Sequence, residues 1–446
     1  MRSPITALAG HLMWTRTGTP WAIWRITPLA YGFRPPKRKV EARRLHQALI
    51  RAMPGESLLL GACASVDPAA VVERMIDDVD LAACPDWAAE CEATLDTLDE
   101  IGVGERIYLL AVPLSDGGTR DRLSAVWRSA LAEVSDFAGL PRPGVPAAEI
   151  QRRQDQAAAI ARRIPVPYRA TPVTVAQLVW LHQHALQRGL FADLDFPESG
   201  DLAEELLTPR SAAVLPEPML DEGGQSDVDD TASWSQRITA RNPLTARYLK
   251  VSQPHNPRSP GDSYQALLAL SDVPTDGMVF PGSEFLGRVD ECGLEVDWAM
   301  RLTVRASADV ARQNKRALVN LNEQFDQRSG ELSHGLNALE QAANDLAEYA
   351  AILENDKLEV ETEPTVIFCV AAADPAATVD RAAALTDYFA EAGFKLAQPV
   401  GYQEDLWWAM LPGVPASRGV RDFAQITTSR ALSAAVPFAS SDLGDR

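Results

Sequence analysis

Lysine is scarce in this chain. There are six, Lys37, Lys39, Lys250, Lys315, Lys357 and Lys395; none follows a glycine and none precedes Ser or Thr. A phosphate-binding loop needs Gly-x-x-x-x-Gly-Lys-Ser/Thr, because glycine N–H groups cradle the phosphates and the lysine reaches the β and γ oxygens. That machinery is absent from these 446 residues, and ATP hydrolysis by it is excluded. The six histidines are His11, His46, His182, His184, His255 and His334, with only His182 and His184 close together. Two residues apart on a helix they point to different faces, so they do not share a metal ion and read as ordinary surface histidines. HExxH, EF-hand and Gly-x-Ser-x-Gly patterns are missing, as is a three-glycine dinucleotide fingerprint.

The five cysteines, Cys63, Cys84, Cys91, Cys292 and Cys369, form no C-x-x-C pair. Their odd number and scatter fit a reducing compartment, with Cys63 and Cys369 as small hydrophobes inside apolar runs. No run approaches eighteen apolar residues and no apolar signal core opens the chain. A cytoplasmic protein is the expectation, peripheral at most to a membrane.

What remains is an ordinary globular composition, 46% hydrophobic and 23% charged, with a net charge of −19. That charge opposes whole-surface attraction to nucleic acid. Its distribution is uneven. Residues 1–60 carry Arg2, Arg16, Arg25, Arg34, Lys37, Arg38, Lys39, Arg43, Arg44 and Arg51 against only Glu41 and Glu56, while the stretch from about 193 to 230 is strongly acidic. The basic edge is either a surface for an anionic membrane or a partner subunit, or simply a solvated helix face.

The first 29 residues read as a hairpin with Trp14, Trp21 and Trp24 available for cross-strand pairing. A helix is expected over about 37–52, then a buried strand at 57–64. Helices follow after Asp67 and from about 85 to 100, and another buried strand spans 106–114. An amphipathic helix is expected over 119–137, then helices at 146–163 and 174–188. Strands are expected at 246–252, 264–270, 294–306, 363–373 and 394–400. A proline-opened helix from Asp374 to about Ala392 separates the last two. Trp407 and Trp408 lie in a helix before Pro412, as core packing or as an interface anchor, and a last helix is expected near the end.

The longest regular signal is a row of apolar residues every seven positions: Leu318, Phe325, Leu332, Leu339, Leu346 and Leu353. Arg328 and Gly335 break its companion row, so the segment reads as a helical hairpin over about 307–355; a long bent helix and an intermolecular coiled coil are the other readings. Together these features predict an α/β (α+β) protein with two sheet-containing units. Residues 1–145 form the first, 146–195 a helical connector, 196–240 an acidic linker or mobile insertion, and 241–446 the second unit with the hairpin.

Several segments resemble the N-terminal region of actinobacterial conjugative-transfer ATP-binding proteins, relatives of the large cytoplasmic ATPase of type IV secretion systems. They are 27–32 (TPLAYG), 54–61 (PGESLLLG), 105–113 (ERIYLLAVP), 322–330 (NEQFDQRSG) with 333–335 (SHG), 405–413 (DLWWAMLPG), 425–430 (QITTSR), 436–438 (VPF) and 442–445 (DLGD). Their order and spacing span nearly the whole chain. The resemblance implies that a RecA-like motor with its P-loop would begin a few tens of residues beyond residue 446, so that this chain is a natural truncation or a fragment. It implies no catalytic residue, metal or cofactor here; ATP and Mg belong only to the missing motor. It also implies an assembly role: a homo-oligomer that contacts inner-membrane channel subunits and nucleic acid only indirectly. Candidate interface residues are Trp14, Trp21, Trp24, Arg38, Lys39, Arg43, Arg44, Trp407 and Trp408. The alternatives are a free-standing enzyme with an unrecognised site, or a DNA-binding accessory protein that uses the basic first 60 residues.

Overall fold

The computed structural model describes residues 4–65, 68–77, 79–81, 83–101, 104–114, 145–190, 196–197, 216–219, 247–252, 261–274, 277–328, 344, 346–347, 349–353, 355–356 and 358–440. The helix expected over 119–137, most of the acidic segment and the turn of the helical hairpin lie outside them.

The chain begins with three strands, β1 (Ile5–Ala9), β2 (Leu12–Thr15) and β3 (Pro20–Arg25), and a short β4 (Leu29–Ala30). Pro35 and Pro36 then start α1 (Pro36–Ala52); Pro36 occupies the first turn, where its missing N–H costs nothing. β5 (Glu56–Ser65), α2 (Pro68–Ile76), α3 (Pro85–Ile101) and β6 (Gly104–Pro113) follow. Beyond them come α4 (Ala147–Ala161), β7 (Thr171–Pro172) and α5 (Val175–Gln187). Thr174 opens α5 with a capping box: its hydroxyl accepts from the Gln177 N–H, and the Gln177 side chain accepts from the Thr174 N–H.

The second half supplies β8 (Pro216–Met219), β9 (Tyr248–Val251), β10 (Ser263–Asp272), β11 (Asp297–Ala306), α6 (Ser307–Arg328) and β12 (Val360–Ala372). It continues with α7 (Pro375–Glu391), capped by the Asp374 carboxylate, then β13 (Lys395–Ala397) and α8 (Gln403–Ala409). The last elements are α9 (Arg418–Arg421), β14 (Thr427–Thr428), α10 (Ser429–Leu432) and β15 (Ala439–Ser440). The final helix expected from sequence is thus two single turns, each opened by a Ser or Thr hydroxyl cap.

The fold is mixed helix and sheet. The two sheet-containing units share one 13-stranded sheet, ordered β1-β2-β3-β6-β5-β11-β12-β10-β9-β8, with β7, β13 and β14 attached at its sides. The join between the halves is the antiparallel pair β5–β11, with Leu60 opposite Ala299 and Leu58 opposite Arg301. The register places Gly61 opposite Trp298. A Cβ on Gly61 would lie 2.4 Å from the indole Nε1 of Trp298, so only glycine lets that indole lie flat across the strand.

The apolar runs that read as buried strands alternate between two cores. Leu59, Leu110, Val112, Leu268, Met300 and Phe368 face one; Leu58, Leu60, Leu109, Leu267, Ala299 and Ile367 face the other. Both faces are covered, which is why these strands are apolar nearly throughout and show no polar alternate face. Leu49 and Ile50 of α1 and Leu385 and Phe389 of α7 close the first core; Leu178 and Leu181 of α5 and Leu406 and Trp407 of α8 close the second. The result is helices on both sides of an antiparallel sheet.

The expected tryptophan pairing in the first hairpin does not form. Trp14 stands opposite Pro20 and Trp21 opposite Met13, so no two tryptophans face each other across the β2–β3 ladder. Strand alternation sends Trp14 and Trp24 into one core and Trp21 into the other.

Candidate functional site

α1 carries the basic residues of the N-terminal edge. Its buried stripe is Ala42, His46, Leu49 and Ile50, which turns Lys37, Arg38 and Arg44 outward. His46 anchors the helix. Its Nδ1–H donates to the Ala42 carbonyl at 2.8 Å, and its Nε2 accepts from the Phe438 N–H at 3.0 Å. Burial pushes the imidazole pKa down to about 4, so the ring stays neutral and keeps that tautomer.

On the outer side, Arg38 donates to Glu41 at 2.9 Å, an exposed pair of small value. Lys39 Nζ lies 4.9 Å from the centre of the Tyr31 ring, and the Arg43 guanidinium 5.6 Å from that of Phe280. Burial lowers the Arg43 pKa, and the neighbouring charges of Arg430 and Arg44 lower it further. Arg44, Arg51 and Arg163 border a groove of about 870 Å3 with Ala48, Ala52 and Leu358. Arg51 is engaged through Nε and Nη2: it donates to Asp356 and Glu359, both at 2.9 Å, and to the Ser429 hydroxyl at 3.0 Å.

A second polar cluster lies inside the protein. Asp297 Oδ2 accepts from Arg188 Nε at 2.6 Å and contacts His184 Nε2 at 2.7 Å, while Oδ1 accepts the Cys63 N–H at 2.8 Å. Arg188 Nη1 and the Trp407 indole N–H both donate to Gln265 Oε1, at 3.2 and 2.9 Å. Burial alone would raise the Asp297 pKa; His184 and Arg188 overcome it and hold the carboxyl below the usual carboxylate range. Burial pushes the Cys63 and Cys369 thiols up to about 12, which leaves both protonated near neutral pH. The adjoining cavity is about 50 Å3, room for a water or two. Gly189 borders it at φ +71°, and a Cβ there would lie 2.3 Å from the Ala371 carbonyl carbon.

Chemically this cluster locks α5 onto the sheet. Its carboxylate lone pairs are taken by structural donors and its thiols lack nucleophilic character. Among the described residues, no group of three or more His, Cys, Asp or Glu side chains is placed to hold a metal ion.

The expected surface role of His182 and His184 is corrected here. His184 stacks on Trp180 at 4.8 Å and meets Asp297, and burial pushes the His182 pKa down to about 4. The two do point to different surroundings, as helical spacing requires. Sequence reasoning missed Asp297 and Arg188. They are 109 residues apart with no motif linking them, and only the apolar runs around each could have hinted at buried charge. Trp14, Trp21, Trp24, Trp407 and Trp408 are all covered by this chain itself, whereas Arg38 and Arg44 are exposed and Lys39 and Arg43 half-buried.

No protein-family model and no curated protein matches the chain. No helix among the described residues is long and apolar enough to cross a membrane.

Proposed function

We propose that this chain is the non-catalytic assembly region of a conjugation, or type IV secretion, ATPase. It is a scaffold that contacts sister subunits and inner-membrane channel subunits from the cytoplasm, peripheral to the membrane, while a motor encoded elsewhere handles ATP and Mg. The observation that carries the reading is the concentration of cations on the outer side of α1, in a protein whose net charge is −19. Interior ion pairs are compensated, as with Arg188 and Asp297; Arg43, Arg44 and Arg430 instead crowd together and lower the Arg43 pKa. Like charges gathered on a rigid helix favour an anionic partner and speed its encounter. The bond from Phe438 to His46 and the burial of Leu49 hold α1 in place, so the cations are presented without reorganisation.

A free-standing enzyme is the second reading, and the His184–Asp297 contact beside a cavity is what favours it. The protonated thiols and the smallness of that cavity weigh against it.

The test is charge reversal at Arg38, Lys39, Arg43 and Arg44 in a cell that carries the transfer system. Transfer should fall at least tenfold with the protein level unchanged. Transfer at the original rate, or nucleotide hydrolysis by the purified chain, would remove the reading.

A further inference from the structure

The groove beside α1 goes beyond a general basic face. Three separate segments build it: α1 supplies Arg44, Ala48 and Arg51, the turn after α4 supplies Arg163, and the approach to β12 supplies Leu358. Its two kinds of surface are distinct. Arg44 and Arg163 are exposed and make no ion pair with a described residue, while Arg51 at the same groove is already matched by Asp356 and Glu359. Ala48 and Ala52 line the same groove, with Leu358 left 71% exposed. Two uncommitted guanidinium groups and an apolar strip that line one groove suit a partner carrying both carboxylates and an apolar side chain.

We propose that this groove binds an acidic, leucine-bearing peptide segment of a partner protein. The proposal names the partner chemistry for the docking face described above and rests on that reading. Carboxylates of the peptide pair with Arg44 and Arg163, and its leucine packs on Leu358, Ala48 and Ala52. The volume of about 870 Å3 suits a few side chains inserted from a short segment. Charge complementarity selects a peptide over the other anionic macromolecules. The net charge of −19 opposes the approach of a nucleic acid, with a phosphate about every 1.7 Å of duplex. A short peptide carries only the few carboxylates that Arg44 and Arg163 can match. The groove is also part apolar, which a layer of charged headgroups does not match.

The experiment uses the full chain and a fluorescent probe peptide of about ten residues, made of Asp, Glu and Leu, with a counterpart in which lysine replaces each acid. Anisotropy should show micromolar affinity for the acidic probe that weakens with salt. The variant Arg44→Glu/Arg163→Glu changes two exposed residues, so its melting temperature should stay unchanged. It should bind the acidic probe at least tenfold more weakly and gain affinity for the lysine counterpart. Leu358→Ser should weaken binding several-fold with the salt dependence preserved. Equal affinity of wild type and the double variant would overturn the proposal. So would binding of a short DNA duplex or of phosphatidylglycerol vesicles with no binding of the peptide. If the peptide binds as described while transfer in the cell ignores charge reversal on α1, the groove stands and the secretion reading falls. If transfer is lost and the peptide does not bind, the reverse holds.

Discussion

The imidazole of His46 accepts the backbone N–H of Phe438 across 392 residues of sequence, at 3.0 Å, and so ties the basic helix to the last strand region of the fold. Phe438 in turn packs edge-on against Tyr108 and Tyr168. The presentation of α1 therefore depends on a neutral histidine.

That dependence sets a pH response. The His46 pKa is about 4 in the folded protein against 6.5 for a free side chain, and His182 behaves alike. Between those values the unfolded chain binds more protons than the folded one, so stability is complete above about pH 6.5 and is lost as pH falls towards 4. Each histidine contributes up to about 3 kcal/mol over that window. Urea midpoints measured from pH 7.5 down to 4.5 should fall. His46→Leu should lower stability by about 1–3 kcal/mol at neutral pH, because the Phe438 N–H loses its acceptor. The same variant should shallow the pH slope, with His182 and the half-buried His11, whose pKa burial also lowers, contributing to what is left; a slope identical to wild type would contradict the assignment.

Gly61 and Trp298 test the seam between the halves of the sheet. Gly61→Ala forces a methyl group against the indole and should cost about 1–3 kcal/mol. Trp298 Nε1 has no hydrogen-bond partner, so Trp298→Phe sacrifices none. The double variant should recover part of the loss in a double-mutant cycle followed by thermal melting. Simple additivity would place the clash elsewhere.

Asp297 is the hub of the buried cluster. Asp297→Asn removes the charge that matches Arg188 and should destabilise by about 3–5 kcal/mol. Denaturant titration checks it, and a loss below about 0.5 kcal/mol would show that Arg188 finds another partner.

The thiols should differ in reactivity. Cys84 is exposed, while burial holds Cys63 and Cys369 protonated. Iodoacetamide at pH 8 should label Cys84 well before Cys63 or Cys369, read by mass spectrometry of peptides. Early labelling of Cys63 would mean that the cavity opens.

Much of the element order was legible beforehand. The runs at 57–64, 106–114 and 363–373 read as buried strands and became β5, β6 and β12, because strands covered on both faces leave a continuous apolar record. α1 was legible from its helical stripe after the Pro35-Pro36 break, and α7 from the Asp374-Pro375 cap and the Gly393 stop. Strand partners were not. Nothing near Gly61 announces Trp298, since pairing over such separations is decided by which registers bury both faces together. The tryptophans of the first hairpin suggested pairing, but the register sets Trp14 opposite Pro20 and Trp21 opposite Met13.

The sequence by itself determined local matters: helix starts, the two-sided burial of the central strands, the concentration of cations in the first 60 residues, and the lack of a P-loop. Each depends on neighbours a few positions away or on composition. Only the tertiary structure decided that the strands of both halves join in one sheet, that His46 meets Phe438, and that Arg44, Arg163 and Leu358 border one groove. Those are contacts between distant segments, and their free energy comes from the burial and packing of surfaces that no short window of sequence contains.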